Sequence, residues 1–117
     1  MPSTDVPPEQ FSIGSADWPG LSKLIEECGE VIQVAGKLLA TGGDLHHWEG
    51  APLDQRLMEE LADLKAAIEF FVQRNSYISG LLVERRAEAK LKQFIGWHSE
   101  GRAAAREQEN KTKNTEA

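Results

Sequence analysis

Two short acidic stretches, Glu26-Glu27-Cys28-Gly29-Glu30 and Glu59-Glu60-Leu61-Ala62-Asp63, carry the residue types best suited to chemistry in this chain. Each places carboxylates three positions apart inside an apolar run of helical spacing. Residues i and i+3 stand one above the other on a helix, so Glu27 with Glu30, and Glu60 with Asp63, each aim two carboxylates in one direction. Two facing helices bearing one such pair apiece form a four-carboxylate set of the kind helical bundles use to hold divalent ions. Like charges at this spacing repel and lose hydration between packed helices, so either a bound cation or raised pKa values must compensate. An all-oxygen donor set selects magnesium or manganese over zinc. The competing reading is an ordinary solvated acidic face.

The order E-E-x-x-E, a gap, then E-E-x-x-D resembles the signature of the MazG-like all-α nucleoside triphosphate pyrophosphohydrolases, whose relatives include all-α dUTPases and phosphoribosyl-ATP pyrophosphohydrolases. The resemblance covers about Leu21 to Arg74, with weaker likeness to about Phe94. It implies hydrolysis between the α and β phosphates of a nucleoside triphosphate, giving the monophosphate and pyrophosphate with magnesium as cofactor and manganese as a substitute. On that reading Glu27, Glu30, Glu60 and Asp63 hold two or three ions, and Glu26 or Glu27 orients the attacking water or takes its proton. Some members of the family are guanine-directed, which makes dGTP or GTP the first substrate expected. A dUTPase-like enzyme and a phosphoribosyl-ATP hydrolase are the alternatives within the class. The rival of another class is a non-enzymatic acidic helical module that binds metal or a protein partner.

These carboxylates need helices to position them. The first is expected from about Gly20–Ser22 to Ala40, stopped by Thr41-Gly42-Gly43, with a core stripe of Leu21, Leu24, Ile25, Cys28, Val31, Ile32, Ala35, Leu38 and Leu39. Glu27 falls at the edge of that stripe and Glu30 just outside it. Cys28 reads as a buried, inert thiol, and Gly29 and Gly36 as points of close approach by a helix or ligand. The second helix is expected from Pro52–Asp54 to about Asn75, with Leu57, Leu61, Leu64, Ala67, Ile68, Phe71 and Val72 inward and Glu60 and Asp63 flanking them. A third is expected from Tyr77 or Ile78 to about Trp97. Its Arg85, Arg86, Lys90 and Lys92 either reach triphosphate oxygens, with Arg86 and Lys90 the chosen candidates, or pair locally with Glu84 and Glu88. Here the chain departs from the family's K-x-x-K-N pattern.

Residues 1–20 read as a proline-rich arm with one helical turn near Pro8 to Ile13. Ile13 and Trp18 either cover the end of the bundle or form a wall for a nucleobase, favouring a purine. The segment Asp44 to Pro52, with His46, His47 and Trp48, is a candidate lid. Residues 99–117 read as a polar, disordered tail behind a single helical domain over 1–98.

With 117 residues, 40% apolar and 27% charged, the chain suits one globular all-α domain, a helical bundle of three to four main helices. Its amphipathic helices outnumber the faces they can cover, so a homodimer or a dimer of dimers is expected. A net charge of -6 disfavours nucleic-acid binding, and bound divalent ions would reverse the local sign for an anionic triphosphate. No membrane segment and no secretory leader are read, giving a cytoplasmic expectation. Neither a Gly-rich phosphate loop nor an internal repeat is found.

Overall fold

Runs of Leu, Glu, Lys, Ala and Gln without internal proline are strong helix formers, and among the residues described three α-helices and no strands form. The computed structural model describes residues 11–46 and 50–116. Helix α1 spans Leu21–Ala40, α2 spans Leu53–Arg74 and α3 spans Gly80–Glu116. The chain divides between Ile78 and Ser79 into two compact units, the first holding α1 and α2 and the second α3. The arm's first ten residues and His47-Trp48-Glu49 of the candidate lid lie outside the described residues.

Helices α1 and α2 form an antiparallel hairpin. Gly20, at the start of α1, meets Phe70 and Phe71 near the end of α2. At the other end the Leu53 amide donates to the Leu45 carbonyl at 2.8 Å. The stop of α1 is the one expected: Thr41 caps it, and Gly42 and Gly43 adopt φ of 65° and 89°, which glycine takes without steric cost. At the open end Asn75, 5% exposed, donates through Nδ2 to the Phe71 carbonyl at 2.7 Å and the Pro19 carbonyl at 3.0 Å. One amide therefore caps α2 and fastens the arm to it.

The two helices meet along a seam of alternating three- and four-residue steps. On α1 its members are Leu24, Glu27, Val31, Val34 and Leu38; on α2 they are Leu53, Leu57, Glu60, Leu64, Ala67 and Phe71, all buried or half-buried. This is the spacing of antiparallel knobs-into-holes packing, and it corrects the expected stripes. Val34 and Leu53 are the most enclosed side chains, yet neither belongs to the expected set. Conversely Ile25, Cys28, Ile32 and Leu39 are exposed, Leu39 at 85%. They form a second line of the same spacing that α2 does not reach, so Cys28 is an accessible thiol and not a buried one. Helix α2 carries a matching outer line of Met58, Leu61 and Ile68. Gly29 and Gly36 face open space, so no neighbour within this chain accounts for them.

The second unit also departs from expectation. Ser79 caps α3, its Oγ accepting from the Leu82 amide at 3.2 Å. The helix runs unbroken to Glu116, past the end expected at about Trp97 and through the segment expected as a disordered tail. The segment Arg102-Ala103-Ala104-Ala105-Arg106 is rich in the best helix formers, and local propensity continues the helix where apolar periodicity stops. Low apolar content argues against a core, which is a separate matter from helicity.

Candidate metal centre and adjoining cleft

The seam brings carboxylates together because two of its positions are filled by glutamate. Glu27 occupies the α1 seam between Leu24 and Val31, and Glu60 the α2 seam between Leu57 and Leu64. Asp63 stands one turn beyond Glu60 on the same side of α2. One carboxylate oxygen from each of Glu27, Glu60 and Asp63 lies within 4.8 Å of the other two. Opposite ligands of an octahedral ion bonded at about 2.1 Å sit about 4.2 Å apart, so three oxygens at this spacing fit one hard divalent cation after small rotamer changes.

The electrostatics agree. Glu27 is only 8% exposed. The Glu60 carboxyl is held above its ordinary pKa, chiefly by partial burial and then by the charges of Glu30, Asp63 and Glu27, with Arg56 opposing. Glu30 thus acts on the cluster through its field but does not join the three converging oxygens. Glu26, the other candidate for handling a water proton, is exposed and pairs with Lys23 at 3.2 Å.

Beside the carboxylates opens a cleft of about 490 Å³ lined by Ile13, Lys23, Glu27, Asp63, Ala66, Ala67 and Phe70. Ala66 and Ala67 leave room in it because their side chains lack bulk, and its larger apolar lining residues are Ile13 and Phe70. The volume suits a small organic ligand, and two cluster carboxylates share its lining. Of the two arm residues expected to form a wall, Ile13 lines this cleft. Trp18 packs elsewhere: its ring stacks on Phe71 at 6.1 Å with 13° between planes, and tilts against Tyr77 at 5.4 Å. Arg86 and Lys90 lie on α3 in the second unit, beside a shallow groove shared with Ala89 and Gln93, and Lys90 donates to Gln93 at 3.2 Å. Neither forms the expected pair with Glu84 or Glu88 among the described ion pairs. His46 is exposed and bonds Asp44, and the lid reading for His47 and Trp48 falls on residues outside those described.

Three lining residues, Lys23, Ala66 and Phe70, have no role in the sequence analysis. Phe70 sits on α2 one position before the core Phe71, and periodicity alone gave it no role. Lys23 lies one turn before Glu27, and its ammonium is 3.3 Å from Glu27 Oε1 and 3.2 Å from Glu26 Oε2. Its pKa is raised, first by the hydrogen bond to Glu26 and then by that to Glu27. The i, i+4 spacing of a lysine before a glutamate is a signal that the sequence contained.

Fold and site together define an all-helical protein whose inter-helix seam holds a carboxylate cluster open to an apolar cleft. No protein-family model, curated protein or solved structure matches the chain.

Proposed function

We propose that the protein is a divalent-metal-dependent nucleoside triphosphate pyrophosphohydrolase of the MazG-like kind, converting a (d)NTP and water to the (d)NMP and pyrophosphate. The observation that supports this reading is the juxtaposition of three converging carboxylates with a cleft of about 490 Å³ that carries apolar walls. A metal buffer has no use for that cleft, and a binding module has no use for carboxylates forced into a seam against their own repulsion. Glu27, Glu60 and Asp63, with Glu30 beside them, are the residues that would hold magnesium or manganese. The ion would neutralise phosphate oxygens and acidify a water molecule. Glu26 or Glu27 would orient the attacking water or take its proton, Glu26 being the more accessible. Ile13 and Phe70 receive the flat base, and a purine has the larger face to stack on an aromatic ring, so dGTP or GTP is the first substrate to test.

The working unit is proposed to be a homodimer or homotetramer. The outer line of Ile25, Ile32 and Leu39 on α1, and that of Met58, Leu61 and Ile68 on α2, repeat the spacing of the inner seam. Two hairpins sharing these lines would form a four-helix bundle.

Incubating the protein with a panel of ordinary and modified triphosphates, with magnesium and with excess chelator, tests the reading. Release of pyrophosphate and monophosphate only when the metal is present is expected. Release of orthophosphate and diphosphate, or turnover unaffected by chelator, would overturn it.

A further inference from the structure

We propose that Lys23 is the resident cation of this centre: its ammonium holds Glu27 until a divalent ion takes that carboxylate, and then binds the phosphate chain of the ligand in the cleft. The inference rests on the metal-dependent reading above. Among the described residues, Lys23 is the one cation within ion-pair distance of the cluster, and it touches the most buried member, Glu27. It also lines the cleft into which Glu27 and Asp63 open, so a short swing of its stem exchanges a carboxylate partner for a ligand anion.

The hold on Glu27 is built to be released. Lysine four residues before glutamate is the weaker orientation of a helical pair, since it sets both charges against the helix dipole. The Lys23 side chain is 44% exposed, which screens the contact. A doubly charged ion therefore outcompetes it for Glu27. Glu26, at 3.2 Å from the same ammonium, keeps Lys23 at the cleft once Glu27 is lost. A neutral side chain at this position would leave Glu27 without its ion-pair partner before metal arrives, and the cleft without a described cation afterwards.

The test uses Mn2+ alone, followed through the electron paramagnetic resonance of the free ion, and then inorganic pyrophosphate titrated into the Mn2+-loaded protein by calorimetry. Lys23→Met removes the competitor, so it should bind Mn2+ roughly twofold to fivefold more tightly than the parent. The same variant should bind pyrophosphate roughly tenfold more weakly once loaded. Lys23→Arg should restore pyrophosphate binding. Lys65→Met, which removes an exposed lysine of α2, should leave both constants near the parent's, and equal tightening there would reduce the effect to net charge and overturn the proposal. Unchanged or weaker Mn2+ binding by Lys23→Met would also overturn it, marking Lys23 as a support for Glu27, while the metal reading would stand. A parent chain that takes up no Mn2+ would end both.

Discussion

Glu27 and Glu60 stand at seam positions where an apolar residue would stabilise the hairpin more, and that conflict between fold and site is measurable. In Glu60 the folded protein holds its proton to higher pH than the unfolded chain does, because partial burial and the charges of Glu30, Asp63 and Glu27 disfavour the anion. The sign follows: this group's contribution is fully present below the unfolded carboxylate pKa and is lost as pH rises through the raised folded value. Metal-free protein should therefore lose stability over that window, Glu60→Gln should flatten the loss, and Mg2+ should reverse it, as read by thermal melts at a series of pH values. Asp63→Asn and Glu30→Gln should abolish hydrolysis yet melt no lower than the metal-free parent, since each relieves repulsion. A large drop in melting temperature would mark them as structural. At the cleft, Ile13→Ala should raise KM for the preferred triphosphate by roughly tenfold with little effect on kcat or fold. Trp18→Ala should chiefly lower stability, because its ring is engaged with Phe71 and Tyr77. If Trp18→Ala raises KM and leaves the melt unchanged, the base sits on the indole after all.

At the scale of the element, the hairpin depends on its ends. Gly20 holds a φ of 87°, and a Cβ there would lie 2.8 Å from Phe70 Cδ1. Gly20→Ala combines left-handed strain with displacement of a cleft wall, and should cost about 1–3 kcal/mol in urea denaturation. It should also raise KM, because the displaced ring is part of the cleft. Gly36→Ala, where a Cβ meets open space, makes the natural control: it should be neutral or stabilising. Any loss at Gly36 would mean that another chain approaches α1 at that point.

For the whole molecule, the described residues contain no helix long and apolar enough to cross a membrane. A separate question is whether water or a second copy of the chain faces the apolar side chains left outward on α1 and α2. Ile32, 71% exposed in the middle of the outer line of α1, is the place to decide between them. Ile32→Glu should shift the protein to monomer in sedimentation or light scattering and lower its melting temperature, because a charge would be forced into the shared face. A parent that is already monomeric at high concentration would refute the proposed assembly.

The helices themselves were legible from residue order. Thr41-Gly42-Gly43 ended α1, Pro52 opened α2, and the spacing of Glu27, Glu30, Glu60 and Asp63 put each pair on one face, since caps, propensity and the helical repeat are local properties of the chain. What the sequence could not decide was which apolar line α2 would cover. Helix α1 has two such lines, one through Val31 and Val34 and one through Ile25, Ile32 and Leu39, and hydrophobic spacing alone suits either. Only the packed hairpin chose the line containing Glu27, which turned an expected edge residue into a buried one and left Cys28 in the open. The same choice brought Asp63 beside Glu27, left Glu30 at one remove, and set Lys23 and Phe70 around one cleft with Ile13. Those contacts join residues far apart in the chain, so their identity is set by tertiary packing and by the cost of burying charge, neither of which a local pattern records.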